Sequence, residues 1–208
     1  MSKPQLLLIG AGGHALACIE VIESEARFSI AGLVGVAQDV GKSRLGYAVL
    51  ESDDALPTLA EKYKYALISV GQIKSPARRK ELYQRALDFG FQLPAIIAPS
   101  ARVSRHASIG PGTIVMHGAV VNAGAVVGSN CILNTCSIVE HEAVIGDCCH
   151  IATTAVVNGS SHVGEGSFLG SGSIVREGLR LGAECVVGMG VCVRHDLNDG
   201  ARFTGRDK

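Results

Sequence analysis

The sequence predicts an α/β domain followed by a parallel β-helix. Two periodicities carry this prediction. Before residue 96, strand-like and helix-like segments alternate, whereas after it an aliphatic residue returns at every sixth position. The composition agrees, because 26 glycines, 4% aromatic residues and no Trp suit tight turns and small side chains better than a core of large rings. We expect two domains, at residues 1–95 and 96–208.

The first part has the pattern of βαβ units. Continuous apolar runs predict buried parallel strands, and apolar residues three and four apart predict helices. The predicted strands lie in QLLLIG, FSIAGLVGV, YALISVG and FQLPAII, and the predicted helices lie in ALACIEVIESEA, DDALPTLAEKY and SPARRKELYQRALDFG. Strands that alternate with helices form a small Rossmann-like parallel sheet.

The second part is a hexapeptide repeat. Seventeen consecutive positions in steps of six, from Ile97 to Val193, are aliphatic. The residue four places after each of them is mostly Ala, Ser, Thr or Cys. In a parallel β-helix with three short strands per coil, these aliphatic side chains stack inward, and a segment of this length makes about five to six coils.

Charge and cysteine content exclude several classes of protein. Lys and Arg together number 19 and balance 19 Asp and Glu, so we expect neither a nucleic-acid partner nor an anionic membrane surface. The apolar run near the N-terminus is too short for a signal peptide or a spanning helix, and we expect a cytoplasmic protein. The seven cysteines include no C-x-x-C pair, which favours reduced, space-filling thiols over a zinc site.

A glycine loop follows the first predicted strand. The segment IGAGGHA fits G-x-G-x-x-A with Gly10, Gly12 and Ala15, and such a loop brings phosphate close to the N-terminus of a helix. An NAD site also needs an acidic residue at the end of the second strand, where this chain has Gly35 to Ala37 and the nearest acid is Asp39. A mononucleotide or nucleotide-sugar site is therefore favoured over NAD. A turn that only packs helix on strand is the alternative.

The segment IVEHEAVIGDCCHI breaks the regular repeat with charged and titratable side chains. His141 and Glu142 follow the inward Val139 by two and three positions, which places them at a corner between two faces. A neutral imidazole accepts a proton near pH 7, and an adjacent carboxylate orients it. A solvated corner without function is the alternative. His150 directly precedes an inward aliphatic residue and is expected to project from a flat face.

Together, IGAGGHA, ILNTCSIVEHEAVIGDCCHIATTAVVNG and GSFLGSGSIV resemble the bacterial acetyltransferases of sialic acid and of nucleotide-linked 4-amino-sugars, the NeuD/PglD type. The resemblance covers nearly the whole chain and implies a left-handed β-helix that uses acetyl-CoA as co-substrate. It implies that His141 is the general base, oriented by Glu142, and that His150 and Gly159 contact acetyl-CoA. It also implies two groups of substrate-binding residues: Asn134 and Thr135 near the sugar, and Gly10, Gly12, Gly13, His14 and Gly71 around the nucleotide.

Two features depart from the family pattern. Many relatives carry acidic residues after the second strand that reach the nucleotide, and the segment LVGVAQD has none in the expected place. Relatives also continue through a Gly-x-Pro-Ala segment that covers the adenine end of coenzyme A, of which only Gly205 remains here.

The expected function is transfer of acetyl from acetyl-CoA to the amino group of a nucleotide-linked 4-amino-sugar in bacterial surface-glycan biosynthesis. His141 would act as base in a direct transfer, and no metal is needed. O-acetylation of sialic acid fits the same residues. Two other functions are a metal hydratase using His117, His141 and His150, and a non-catalytic trimeric scaffold. Outward Ile and Val at positions 114 to 144 in steps of six predict an apolar surface, and with the family resemblance they predict a homotrimer.

Overall fold

The computed structural model describes residues 3–205, which fall into two compact units. The first unit runs to Gly71 and resumes at Ala77–Ile97, and the second comprises Gln72–Pro76 and the chain from Ala98 onward. The segment 72–76 therefore belongs with the β-helix, although it lies within the sequence of the first unit. The separate functions predicted for residues 1–95 and 96–208 are not tested by this division and stay predictions.

The first unit is an α/β fold around a five-stranded sheet. Its strands are β1 Gln5–Ile9, β2 Ser29–Gly35, β3 Ser43–Arg44, β4 Tyr47–Ser52 and β5 Tyr65–Ile68, in the order β3-β4-β2-β1-β5. Its helices are α1 Gly13–Glu25, α2 Leu56–Lys62 and α3 Ala77–Asp88, with short 3-10 turns at Ala37–Asp39 and Asp53–Ala55. A short strand β6, Ile96–Ile97, ends the unit. The three predicted helices and the predicted strands β1, β2 and β5 are confirmed, whereas β3 and β4 were not predicted.

The sheet is mixed rather than wholly parallel, because β3 pairs antiparallel with β4. The hairpin turns through Leu45 and Gly46, whose φ angles are 47° and 85°. Two successive positive φ angles are typical of the two-residue turn of a β-hairpin, for which Asn-Gly is the usual sequence. Leucine is a rare residue in that conformation, and the sequence analysis did not predict the hairpin.

The core of the first unit lies between the sheet and its helices. β1 contributes Leu7 and Ile9, α2 contributes Leu56, and α3 contributes Leu82, all at most 1% exposed. Burial of each such side chain stabilises the fold by about 1.5–3 kcal/mol before the entropy cost of ordering it.

The second unit is a left-handed parallel β-helix with three faces, as predicted. Face 1 carries the strands Ile114–Val115, Ile132–Leu133, His150–Ile151, Phe168–Leu169, Val186–Val187 and Arg202–Phe203. Face 2 carries Arg102–Val103, Val120–Val121, Ile138–Val139, Val156–Val157, Ile174–Val175 and Cys192–Val193. Face 3 carries Ser108–Ile109, Val126–Val127, Val144–Ile145, His162–Val163 and Arg180–Leu181. Each strand pairs in parallel with the strand 18 residues further on for most of the helix, for example Val121 with Val139.

The inward positions form the predicted core. In steps of six from Val115 to Val193, every aliphatic side chain is at most 3% exposed. The small residues at the following corner pack beneath the next strand, and Ala119, Ala143 and Ser161 are completely buried. Small side chains suit most of these positions because the chain turns sharply there, although Leu179 and Leu197 are also buried at this position in the last coils.

The apolar surface expected from the outward positions is not continuous. A step of six residues moves from one face to the next, so positions 114 to 144 are shared among three faces. Ile114 and Ile132 are completely buried within the chain, whereas Val126 is 45% exposed. These residues do not form one patch, and this argument for a trimer was wrong.

Within residues 3–205, no helix combines the length and the apolar character needed to span a membrane.

Candidate active site

The corner between faces 2 and 3 carries the predicted general base. His141 and Glu142 follow the strand Ile138–Val139, and their side chains are 64% and 71% exposed. His141 borders an open cavity of about 450 Å³, whose lining also includes Glu140, Asn158, Gly159, Ser160 and Glu177. The predicted corner position of both residues is confirmed.

Glu142 adopts a left-handed backbone conformation, with φ at 59°. The turn residue three places after each inward aliphatic is glycine in several coils, including Gly118, Gly124 and Gly166. Non-glycine residues take this conformation at a cost of about 1–2 kcal/mol. Glu142 shares this conformation with non-glycine residues at equivalent turns, such as Cys136 and Ser160, and it places a carboxylate beside His141.

Three contacts orient the His141–Glu142 pair. The Nδ1 atom of His141 lies 3.8 Å from Oε2 of Glu142, close enough for electrostatic attraction but longer than a hydrogen bond. Ser160 donates a hydrogen bond of 3.1 Å to the same carboxylate oxygen. The backbone N–H of His141 lies 3.3 Å from Oε2 of Glu140, which also accepts from Asn122 at 2.9 Å.

Gly159 provides the surface on which the His141 ring lies. A methyl group placed on Gly159 would come within 2.5 Å of Cε1 and 2.7 Å of Nε2 of His141. Any side chain at position 159 would therefore displace the imidazole. This geometry gives Gly159 a role beside the base, in addition to the predicted contact with acetyl-CoA.

A second group of predicted residues surrounds His150 on face 1. Its Nε2 lies 3.1 Å from Nδ2 of Asn134, and its Nδ1 lies 2.6 Å from the carbonyl oxygen of Gln72. The Oδ1 atom of Asn134 accepts a 2.8 Å hydrogen bond from the backbone N–H of Thr135. The ring packs edge-on against Phe168, with centroids 5.2 Å apart.

His150 does not project freely from a flat face as expected. It is only 7% exposed, because Gln72 and Phe168 lie against the ring. The hexapeptide pattern places the side chain outward correctly, but it contains no information about a contact with a residue 78 positions earlier in the chain.

Within one chain the two groups lie at different edges of the β-helix. Asn134 directly follows a face 1 strand, Ile132–Leu133, and His150 begins the next strand on that face. His141 and Gly159 lie at the corner between faces 2 and 3. The structure thus brings His141, Glu142 and Gly159 together, and Asn134, Thr135 and His150 together, but not all six.

The glycine loop lies at the carboxyl edge of the first unit's sheet. Gly10 has a φ of 127°, and a methyl group there would lie 2.8 Å from the backbone N of Val70. Methyl groups on Gly12 and Gly13 would meet no atom of residues 3–205 within 4 Å, which leaves open space at the start of α1. Gly71 faces His14, with 3.4 Å between the corresponding Cβ positions. All five residues predicted for the nucleotide pocket therefore lie at this edge.

An acidic residue does reach the end of the second strand. The 3-10 turn Ala37–Asp39 folds back, so that a methyl group on Gly35 would lie 3.4 Å from Cβ of Asp39 and 3.2 Å from Cβ of Ala11. The sequence analysis named Asp39 as the nearest acid along the chain, but it did not predict the turn that brings the Cβ of Asp39 back to Gly35. Lys42 donates to Asp39 at 2.8 Å, and this hydrogen bond holds the pKa of the Asp39 carboxyl below its ordinary value.

Arg44 is a further residue at the loop that the sequence analysis missed. Its Nε donates a 2.9 Å hydrogen bond to the carbonyl oxygen of Ala11, and its Nη2 lies 3.8 Å from Asp39. The unpredicted β3–β4 hairpin positions this cation, and no motif in the sequence indicated it.

The seven cysteines are free thiols, of which Cys136 and Cys192 are exposed and the other five are buried. Burial raises the pKa of Cys18 to about 12. A hydrogen bond with Cys131 and burial raise the pKa of Cys149 well above its ordinary value. These environments oppose formation of a thiolate nucleophile. In residues 3–205, no three His, Cys, Asp or Glu side chains are grouped closely enough to hold a metal ion.

The last coil borders a cavity of about 610 Å³ whose lining includes Arg194, His195, Phe203 and Gly205.

A glycine-loop α/β unit joined to a hexapeptide β-helix with an exposed His–Glu corner defines an acyltransferase of the hexapeptide-repeat class. Residues 5–86 match the PglD N-terminal domain family. No curated protein sequence matches the chain.

Two solved acetyltransferases are similar over nearly the whole chain. One is a histidine-to-asparagine mutant of perosamine N-acetyltransferase from Caulobacter crescentus, in complex with CoA and GDP-perosamine. It is 35% identical to this chain, with a TM-score of 0.88. The match covers 94% of this chain and 90% of that chain. The acetyltransferase domain of PglB from Neisseria gonorrhoeae, also solved with acetyl coenzyme A, is 30% identical with a TM-score of 0.87. It covers 95% of both chains. The chain belongs to the NeuD/PglD-type family of acetyl-CoA-dependent sugar acetyltransferases.

Proposed function

We propose that this protein transfers acetyl from acetyl-CoA to the amino group of a nucleotide-linked 4-amino-sugar, with His141 as general base. The observation that carries the proposal is the exposed imidazole of His141, which lies beside the Glu142 carboxylate and borders a cavity that Glu140 and Glu177 also line. A perosamine N-acetyltransferase 34–35% identical to this chain supports the choice of an amino-sugar.

The acidic surroundings favour an amine over a sialic acid as acceptor. An amino-sugar approaches such a site as an ammonium ion, which the carboxylates attract, and must lose a proton to become nucleophilic. A sialic acid carries its own carboxylate, which the same groups repel. The electrostatics of the corner therefore favour N-acetylation over O-acetylation.

In the proposed mechanism the neutral amine attacks the thioester carbonyl and His141 takes its proton as the tetrahedral intermediate forms. Glu142, held by Ser160, stabilises the resulting imidazolium across the 3.8 Å gap to Nδ1. The C–S bond then breaks, and the proton held by His141 passes to the departing sulfur, which releases the thiol of coenzyme A and returns the imidazole to its neutral form. Direct transfer needs no thiolate on the enzyme, in keeping with the raised pKa of Cys149. Sequential kinetics are expected.

The separation of the two groups of residues supports a homotrimer with shared sites. His141 lies at the corner between faces 2 and 3, whereas Asn134 and His150 lie on face 1. In a symmetric trimer of three-sided helices, a corner of one subunit meets a face of the next. We propose that each active site combines His141 and Glu142 of one subunit with Asn134, Thr135 and His150 of a neighbour.

The nucleotide is proposed to bind at the glycine loop. Open space above Gly12 and Gly13 and the uncapped start of α1 suit a diphosphate, since backbone N–H groups there have no side-chain cap within residues 3–205. Asp39 and Arg44 border the same loop. Cytoplasmic location is proposed with this function, because nucleotide sugars and acetyl-CoA are cytoplasmic substrates.

The test is release of free thiol from acetyl-CoA with GDP- and UDP-linked 4-amino-4,6-dideoxy-sugars and with sialic acid. We expect turnover of an amino-sugar that falls about 10²- to 10⁴-fold in His141→Ala. His106→Ala is the control, since that exposed histidine lies at the same type of corner outside the cavity. Turnover of sialic acid alone would assign O-acetylation, and absence of turnover and of acetyl-CoA binding would reject the enzyme.

A further inference from the structure

Gln72 connects a short segment of the chain to the centre of the β-helix. The residue is 3% exposed and belongs to the segment Gln72–Pro76, which packs with the coils. The side-chain amide of Gln72 donates to the carbonyl oxygen of Gly166 at 2.9 Å. The backbone carbonyl oxygen of Gln72 lies 2.6 Å from Nδ1 of His150. Side chain and backbone of one residue thus contact two successive parts of the helix.

These contacts determine which nitrogen of His150 carries the proton. A backbone carbonyl only accepts hydrogen bonds, so Nδ1 facing Gln72 must be protonated. On the other side, the backbone N–H of Thr135 only donates, so Oδ1 of Asn134 faces Thr135 and the NH₂ group faces Nε2 of His150. Nε2 is therefore an acceptor, and the network is satisfied only by a neutral imidazole with hydrogen on Nδ1.

We propose that Gln72 is a positioning residue of the acyl-transfer site: its carbonyl holds His150 as the Nδ1–H tautomer, and that ring fixes the side chain of Asn134. The inference rests on the proposed function for its catalytic consequence. It narrows the contact with acetyl-CoA expected for His150, because an Nε2 that accepts from Asn134 has no proton to donate to the co-substrate. The second hydrogen of the Asn134 NH₂ group becomes the donor that face 1 presents to a bound substrate.

The burial of Gln72 supports a specific role. Its Oε1 is buried and has no hydrogen-bond partner within residues 3–205, an arrangement that costs stability. An apolar side chain would avoid this cost but would leave the Gly166 carbonyl without the amide donor and release the backbone next to His150. The glutamine is therefore explained by the position that it gives to its own carbonyl group.

The first test reads the tautomer directly. In protein labelled with ¹⁵N-histidine, we expect the His150 ring to show a protonated Nδ1 and an unprotonated Nε2, the reverse of the form usual for free imidazole side chains. The signal is assigned among the seven histidines by its loss in His150→Asn. A His150 with hydrogen on Nε2 in the wild type would overturn the proposal. This measurement needs no substrate, so it stands even if the proposed function fails.

The second test links the tautomer to turnover. In Gln72→Leu we expect a mixture of His150 tautomers and a kcat lower by about 10-fold or more, with the KM for the amino-sugar changed less than about threefold. Gln72→Met serves if the leucine variant does not fold, as judged by circular dichroism and size. Wild-type kcat in either folded variant would overturn the proposal.

Arg202→Gln is the matched control. Arg202 holds the same segment through a 3.3 Å hydrogen bond to the carbonyl of Lys74, but it does not contact His150. In Arg202→Gln we expect the His150 tautomer and kcat to remain as in the wild type. An equal loss in both variants would mean that loosening the segment, rather than the Gln72–His150 contact, is responsible, and would overturn the proposal. A wild type that turns over no amino-sugar would instead reject the proposed function.

Discussion

The His141 ring lies against a residue that has no side chain, and this contact is a sharp test of the site. In Gly159→Ala, the new methyl group would come 2.5 Å from Cε1 of His141, so the ring must move. A displacement of about 1 Å at a catalytic group costs about 10²-fold in rate. We therefore expect kcat for thiol release to fall by about that factor, while the unfolding temperature changes little because the ring is exposed.

Gly188→Ala is the control for an added methyl in the β-helix. Its nearest contacts would be at 3.4 Å, an ordinary van der Waals distance. We expect wild-type kcat there. If Gly159→Ala also retains full activity, the imidazole does not work from the position seen in this structure.

The left-handed conformation of Glu142 predicts opposite changes in stability and activity. Glycine adopts a φ of 59° without strain, so Glu142→Gly should stabilise the protein by about 0.5–1 kcal/mol after the entropy cost of glycine. Removal of the carboxylate should lower kcat by about 10-fold or more, because the imidazolium loses its partner. Thermal unfolding and thiol release measure the two effects.

Glu184→Gly separates backbone strain from chemistry. Glu184 has the same conformation, with φ at 54°, at a corner between faces 3 and 1. We expect a similar gain in stability with unchanged kcat. A loss of stability in Glu142→Gly would show that the hydrogen bond from Ser160 outweighs the strain.

At the scale of elements, the last residue of α1 predicts a dependence of stability on pH. Burial raises the pKa of Glu25 above its ordinary value, against the opposing effects of Arg27 at 3.2 Å and of the backbone N–H of Ile97 at 3.4 Å. The folded state therefore binds a proton more tightly than the unfolded chain, and stability falls as the pH rises from about 4.5 through the raised pKa. A carboxylate at the C-terminus of a helix is also unfavourable to the helix dipole.

Glu25→Gln should raise the unfolding temperature at pH 7 and have less effect below pH 4, where Glu25 is neutral in both states. The amide oxygen keeps an acceptor for Ile97. Glu20→Gln on the exposed side of the same helix is the control, and it should not change the unfolding temperature at pH 7 or below pH 4. An equal gain for Glu25→Gln at both pH values would show that charge is not the cause.

The elements also show where sequence reasoning succeeds. The β-helix repeats every 18 residues, so a period of six determines which side chains point inward, and Val139 and Ile145 lie where the pattern placed them. The corner position of His141 follows from the same register. The six-residue period is a local property, so it can be determined from the sequence alone.

The missed features depend on contacts that no local pattern encodes. The β3–β4 hairpin turns through Leu45 rather than through an Asn-Gly pair, so its turn gave no signal, and with it Arg44 was missed. Asp39 reaches the glycine loop only because a 3-10 turn reverses the chain. His150 is buried by Gln72, a contact between residues far apart in sequence.

For the whole molecule, the two groups of site residues predict complementation between inactive subunits. If each site combines His141 of one subunit with Asn134 of the next, co-expressed His141→Ala and Asn134→Ala chains form some sites in which both residues are intact. Random assembly at equal ratio gives about a quarter of the wild-type sites, and we expect about that share of activity. Each variant alone should be nearly inactive, and a mixture of two His141→Ala preparations is the control. If each site lay within one subunit, co-expressed chains would recover no activity. Absence of activity in trimers of confirmed mass would therefore reject the shared site.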